Sequence, residues 1–455
     1  MWRLHGAIGI GGVALGLAVA VGACGSSTTQ QVDAGTPTAD AGSPLDAGST
    51  DAGGVDAGTL DAGGFDAGTL DGGPDGGTDA GSFTTLREGQ PLPSPSELIT
   101  PGNGLSQDII DAQHDASGNM WAVDSSHLYV RRNGTADWQS FNSSSGLSGQ
   151  EILSVGGGTE GVAWVGYKGI GDGDDTDPEA WRHTGGADKA ELSGNRLAVT
   201  HYELTSPPGT YSQYPNGRYK LRRTLRVYPN KTGLYAGNVW FGSNHGTALV
   251  TAGGEVLEHH HPILCVWDPM LMQCADHIGD VPALAFTPMG DIWFGGTYGV
   301  GSLQFSDGKP GGNFWGSEPV RNTSLFAQPI SPNQYGSEDI TGVAVAPDGT
   351  IWAASQNSGL AHRLANGMVE IFQEAQGLPS NHIEDLALDS NGGLWMATTE
   401  KGIVRLDLST GTWQQAGGLP SAVTRRVMFE TTSTGSFITA IVRQGIAVYQ
   451  IKPTP

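Results

Sequence analysis

The chain is poor in positive charge. Its 455 residues hold 46 Asp and Glu against 23 Lys and Arg, a formal net charge of −23. Such a surface repels phosphate backbones, which excludes nucleic acid as a partner. There are three cysteines; after Cys24 a single pair remains, Cys265 and Cys274. No long stretch with helical period is present, which points away from α-rich classes. No Gly-x-Ser-x-Gly, no phosphate loop, no His-Glu-x-x-His and no convincing pair of carboxylates is found. Those gaps disfavour the common hydrolase, kinase and zinc-protease chemistries. Residues 25–82 contain no Lys, Arg, Trp or Tyr. A segment so short of apolar and aromatic side chains cannot offset its chain entropy, and no fold is expected there.

What is present at the N-terminus reads as an export signal over 1–23. Arg3 and His5 precede an apolar run rich in Gly and Ala, which fits a signal better than a spanning helix. Val21-Gly22-Ala23-Cys24 resembles a bacterial lipobox. The resemblance implies cleavage before Cys24 and lipid on its sulfur; an uncleaved anchor is the alternative. Gly25 after the cysteine implies sorting to the outer membrane, so the localisation expected is the cell envelope. Ten aspartates then recur in Asp-Ala-Gly and Asp-Gly-Gly units from Asp33 to Asp79. Their mutual repulsion extends the segment, as a tether would require. A calcium-binding roll is disfavoured because the units lack aliphatic residues to pack inside.

The folded part is placed at 83–455, and it is repetitive. An aliphatic residue stands twelve positions before a tryptophan at Ile109/Trp121, Ile152/Trp164, Val281/Trp293, Ile340/Trp352 and Ile383/Trp395. A sixth copy, Leu225/Trp240, is three residues longer. In the clearest copy, Leu386-Ala387-Leu388 reads as a strand, Asp389-Ser390-Asn391-Gly392 as a turn and Leu394–Thr398 as a second strand. Ile403–Leu406 and Thr412–Gln415 complete four antiparallel strands, the content of one propeller blade. The chain is therefore expected to be all-β, a seven-bladed β-propeller with blades at about 104–145, 146–222, 223–278, 279–337, 338–376, 377–417 and 418–452. Phe437 is assigned the tryptophan position of the last blade. That blade lacks an outer strand, and Glu97–Thr100 is expected to donate it and close the ring.

Gly377-Leu-Pro-Ser-Asn-His-Ile383, Gly393-Leu-Trp-Met-Ala-Thr398 and Gly402-Ile-Val-Arg-Leu-Asp407 together resemble the two-component-regulator propeller repeat. The likeness is close over 377–407 and looser elsewhere. In that family the propeller is often the sensor ectodomain of a histidine kinase. Within this sequence neither a membrane span nor a kinase domain follows, a departure from the family's pattern that argues against signalling by this chain itself. Asp348-Gly-Thr-Ile-Trp352 and Asp291-Ile-Trp-Phe294 more weakly resemble streptogramin-lyase-type repeats, whose members can be metal-dependent lyases.

Insertions at 168–187, 206–220, 262–278 and 318–338 are expected on one face, where second-to-third and blade-to-blade loops open. Long loops on a rigid scaffold are where binding usually lives, although neutral drift is the plainer account of any one insertion. Tyr167, Lys168, His245, Tyr298, Gln356, Glu400 and Lys401 are expected near its axial mouth. Cys265 and Cys274, nine apart, read as a disulfide in an exported protein, worth about 2–3 kcal/mol in the chain-entropy account. Asp172, Asp174, Asp175 and Asp177 could offer oxygens to Ca2+, but their spacing departs from the EF-hand loop and a solvated acidic loop is favoured. His259 and His261 share one side of a strand and could begin a divalent metal site; half-exposed strand residues are the favoured reading. The function expected is non-enzymatic recognition of a protein or glycan on the loop-rich face. A metal-dependent lyase or hydrolase on that face, using His245 and the His259–His261 group, and a structural envelope lipoprotein are the alternatives.

Overall fold

The twelve-residue beat folds as an antiparallel hairpin, and the tryptophan lands on the same rung each time. Ile383 pairs with Thr398 and Ala387 faces Trp395; Ile340 pairs with Ser355 and Ala344 faces Trp352. An aspartate builds the turn. Asp389 Oδ1 accepts from the amides of Asn391 and Gly393 at 2.8 Å each, the local bonding that suits Asp to turns. Its other oxygen accepts from Trp395 Nε1 at 2.8 Å. Asp115 repeats the device, bonding the Ser117 and Asn119 amides and Trp121 Nε1. One carboxylate thus sets the turn and fixes the ring beside it.

The computed structural model describes residues 83–169, 185–204, 223–233, 235–244, 246–259, 264–268, 273–277, 280–287, 292–297, 299–303, 320–323 and 339–453. All fall within the unit Asp75–Pro455. Their strands form seven four-stranded antiparallel blades. The inner strands are Asp111–His114 in blade 1, Ile152–Gly157 in blade 2, Thr224–Pro229 in blade 3 and Ala283–Phe286 in blade 4. Ile340–Val345, Ile383–Leu388 and Thr424–Thr432 are those of blades 5, 6 and 7. Blade 7 takes its outer strand from the N-terminal side: Glu97–Ile99 pairs antiparallel with Ile446–Val448. The ring closes as the sequence led us to expect.

The core is divided into seven apolar clusters, each shared by two neighbouring blades. Trp121, Trp164, Trp240, Trp352 and Trp395 are buried and reach from their own blade toward the next. Trp293 does the same half-buried, with the Arg363 guanidinium 5.5 Å above its ring. Burial of large rings between blades is what holds the ring together sideways.

Two sequence assignments shift by register. Thr224, not Leu225, occupies the starting rung of blade 3, since Thr224 pairs with Ser243 as Ile383 pairs with Thr398. Leu225 falls at the irregularity that follows. In blade 7 Thr424 pairs with Val442, which puts Thr439 opposite Met428 in the tryptophan position. Phe437 lies two residues nearer a longer turn and stacks on His114, with centroids 5.2 Å apart. The seam between blades 7 and 1 therefore has no tryptophan in its slot. A polar cluster fills it: Glu430 accepts from Thr439 Oγ1 at 2.7 Å and Lys231 Nζ at 2.6 Å, and pairs with His114 Nδ1 at 3.0 Å.

The ring carries a second fastening. Arg87–Glu88 adds parallel to Thr412–Trp413 as a fifth strand on blade 6. The amides of Leu86, Arg87, Gly89 and Leu92 donate to Gln376, Gly411, Trp413 and Gln415 carbonyls. Leu86 joins the cluster of blades 5 and 6, and Leu92 that of blades 6 and 7. Gly377 permits the strap: its φ is +86°, and a Cβ there would lie 2.3 Å from the Leu86 carbonyl oxygen.

The four expected insertions fall between strands joined by second-to-third or blade-to-blade connections, and one long connection outside those four does not. Val320–Thr323 is the fourth strand of blade 4, so the expected connection at 318–338 begins two residues inside a strand's approach. The connection from Leu303 to Val320 leaves the blade at the opposite end. Between blades 3 and 4 a separate hairpin, Leu264–Asp268 with Gln273–His277, pairs Cys265 with Asp276 and Cys274 with Trp267. The two cysteines are thus diagonal, not opposite. Diagonal positions stand roughly 7–8 Å apart, beyond ordinary disulfide reach.

Candidate functional site

Five of the seven inner strands enter the ring through a kink. The register shifts just after the first rung in blades 2, 3, 5, 6 and 7. The residue after the kink points the chain at the axis. In blades 3 and 6 this residue is Arg226 and Asp385, and they meet at 2.7 Å, both nearly fully buried. Asp385 also accepts from the Val427 amide at 3.0 Å, and Asp111 from the Val155 amide at 3.1 Å. Each carboxylate therefore ties its own blade to the next. Burial works against the Arg226 charge, yet Asp385, Tyr228 and Asp111 outweigh it and push the guanidinium above its ordinary value. Burial raises the Asp111 carboxyl. Burial and the nearby Arg226 lower Arg426. Two acids and two bases at equivalent places thus close the axis with compensating charge.

Above this closure, on the face of the blade-to-blade loops, opens a cavity of about 460 Å³. Ile110 and Ser125 of blade 1, Glu151 and Leu153 of blade 2, Glu384 and Thr399 of blade 6 and Arg425 of blade 7 line it. Volumes of roughly 300–1,000 Å³ are usual for ligand sites. A second cavity of about 380 Å³ adjoins it over the seam of blades 7 and 1. Ile110, Val423 and Arg425 line both, so the two form one groove running outward from the axis.

The sequence candidates meet this groove unevenly. Lys168 is exposed and holds Glu151 at 3.0 Å. Glu400 and Lys401 are exposed just beyond Thr399. Gln356 is fixed through its backbone, accepting from His382 Nδ1 at 3.1 Å. Tyr167 is not on the surface: it is fully buried, its hydroxyl donating to Asp188 Oδ2 at 2.5 Å. Burial and Asp188 both raise that phenol, so it stays protonated. Its ring belongs to the cluster of blades 1 and 2. His245, Tyr298, Asp172, Asp174, Asp175, Asp177, His261 and Cys24 lie outside the described residues, and His259 is described only in its backbone. Among the described residues no group of three His, Cys, Asp or Glu is placed to hold a metal ion.

Sequence reasoning missed Glu151, Glu384, Arg425 and Arg426. The signal was available. They stand immediately around the start of a beat, where other blades carry Leu153-Ser154, Pro282-Ala283 and Thr341-Gly342. A charge at that place needs a reason, because the ring turns it toward the axis.

Residues 377–400, from the loop that meets the strap to the end of the second strand of blade 6, match the two component regulator propeller family. The chain carries a two component regulator propeller repeat. Glu384, Asp385 and Thr399 all belong to this repeat, so it supplies both the axial closure and part of the mouth. Among solved structures, the extracellular domain of the hybrid two component system BT3049 from B. thetaiotaomicron resembles this chain with a TM-score of 0.50 at 15% identity. The likeness covers 78% of this chain and 42% of that one, so this chain spans less than half its length. YCF48 bound to D1 peptide gives 0.46 at 15% identity, over 82% and 99%. The extracellular domain of the one component system BT4673 from B. thetaiotaomicron gives 0.46 at 13%, over 82% and 40%. At 15% identity what the first of these shares with the chain is the fold alone. No curated protein matches the chain.

Proposed function

We propose that this propeller is a non-enzymatic recognition scaffold for a protein or glycan, with the groove at the axial mouth as its contact surface. The observation that carries the reading is the make-up of that mouth. Blades 1, 2, 6 and 7 bring Ser125, Glu151, Glu384 and Arg425 around one concavity, chemically varied groups on a rigid frame. Such variety suits orientation of a ligand better than a single reaction. Surface crosslinking on intact cells, with capture of the tagged chain, tests it. One recurrent partner is expected, reduced at least tenfold in a Ser125→Trp/Thr399→Trp variant that fills the mouth without changing its charge. Absence of any recurrent partner, or capture indifferent to that variant, would sink the reading.

We propose also that Cys24 carries lipid and that residues 25–82 tether the propeller in the bacterial cell envelope, with the outer membrane as the membrane the residue after Cys24 favours. The lipobox-like Val21–Cys24 and the aspartate repeats support this. Intact mass of the mature protein should show an N-terminus at Cys24 bearing a diacylglyceryl group. An unprocessed N-terminus would overturn it. A Cys265–Cys274 bridge in that oxidising setting would require the hairpin ladder to shift, and a mass lower by two hydrogens would report it.

A further inference from the structure

The outer half of the groove has a chemistry of its own. Most described cations are engaged. Arg226, Lys231 and Arg405 hold buried carboxylates, Arg131 holds Glu97, and Lys168 holds Glu151. Arg87, Arg196, Lys401 and Lys452 are not engaged, and neither are Arg425 and Arg443, which differ in sharing one cavity. Both are exposed, both line the cavity over the seam of blades 7 and 1, and neither guanidinium has a hydrogen bond or ion pair among the described residues. Backbone geometry brings them to one place: the Arg443 amide donates to the Val423 carbonyl at 2.9 Å. The next residue, Gln444, has a φ of +72°, one of three non-glycine residues among those described with positive φ. In a chain of net charge −23, two unpaired guanidiniums facing one concavity are a standing anion site.

The rest of the lining narrows the ligand. Asp108 shares the cavity, so the local balance favours a monoanion over a phosphate or sulfate dianion. Ile109, Ile110, Val423 and Val442 give its walls aliphatic patches, and Gln107 and Gln444 give them amide groups. Among the described residues no aromatic ring lines either cavity, which favours a peptide over a sugar that would lay its C–H face on a ring. The groove is elongated, because the seam cavity and the axial cavity share Arg425. We infer that the groove takes an extended acidic peptide segment, with a carboxylate between Arg425 and Arg443 and its peptide backbone within reach of the Gln107 and Gln444 amides. This rests on recognition at the axial mouth and names the class of ligand there.

The test uses the folded chain and an array of blocked nine-residue peptides, in which one Asp or Glu is moved through a Leu, Val and Ser background. Binding is expected for acidic members, weakening with salt. It should fall at least tenfold when the acid is replaced by its amide, and at least tenfold in an Arg425→Ala/Arg443→Ala variant. Both arginines are exposed, so the variant should keep the wild-type unfolding curve. Equal binding of acid and amide peptides, or unchanged binding by the variant, overturns the inference. Saturable binding of glucuronate with no peptide bound overturns the peptide assignment in favour of a glycan. If peptides fail while the Ser125→Trp/Thr399→Trp variant still loses its captured partner, recognition at the mouth stands and only the acidic-peptide inference falls.

Discussion

A few carboxylates do several tasks each, and their removal should be costly. Asp389 satisfies two turn amides, the Trp395 indole and the Arg405 guanidinium, and is itself buried. Asp389→Ala should destabilise the protein by about 3 kcal/mol, read from denaturant midpoints, because several buried donors lose their acceptor at once. Across the axis, Arg226→Ala strands Asp385 without its partner and should cost about 3–5 kcal/mol. Arg226→Met with Asp385→Leu should recover much of that, since paired removal leaves no isolated charge. Glu430 gives a pH dependence. Burial alone would raise its carboxyl, but Lys231 and His114 outweigh burial and hold it at about 2, below its ordinary 4.5. A depressed acid contributes its full stabilisation above the unfolded value and loses it as pH falls through the folded one. The wild type should therefore weaken from about pH 4.5 down to about pH 2. Glu430→Gln should be less stable at neutral pH and flatter over that interval. Urea melts of both proteins across that range decide the matter, and parallel curves would refute the assignment.

At the scale of elements, the hairpins were legible because their period, turn residues and large rings agree. Ile383–Trp395 could be read as two strands and a turn, and it is two strands and a turn. Register was less legible. Thr224 and Thr424 begin their strands where the other blades carry an aliphatic residue, so an apolar search slides past them by one residue or more. Tyr167 misled for a related reason. It ends a strand beside a loop, where a phenol suggests a surface, but Asp188 accepts its hydroxyl and lets the ring stay inside. The mouth was harder to see: Glu384 and Arg425 stand at kinks that pairing reveals, and in the sequence only their charge at the start of a beat marks them. The strap was invisible in pattern because two residues pair there in parallel. It can be loosened selectively. Gly377→Ala should drive a methyl into the Leu86 carbonyl and raise amide exchange at residues 86–92 at least tenfold, about 1.4 kcal/mol of local stability. Exchange in the inner strands should change little.

The whole molecule is a circular chain of seven interfaces, and the seam of blades 7 and 1 is the one where the ring is closed by a strand from the N-terminal side. There a threonine stands in the slot that tryptophan fills elsewhere, and there the closing strand Glu97–Ile99 is held by Val448, Ala447 and Ile446. A chain starting at residue 94 keeps this strand and loses only the strap. It should unfold in one cooperative step at a slightly lower temperature. A chain starting at residue 101 loses the strand, exposes the edge of blade 7 and should unfold over a broad range or self-associate. Calorimetry with light scattering separates the two. The strap has one consequence beyond stability. It lies upstream of the closing strand and runs alongside blade 6, its amides bonded across to that blade's edge. A pull from the N-terminal end would load those bonds together along the strand, in shear, before any tension reached Glu97–Ile99. Mechanical load would be absorbed on blade 6, one blade away from the seam it could otherwise unzip.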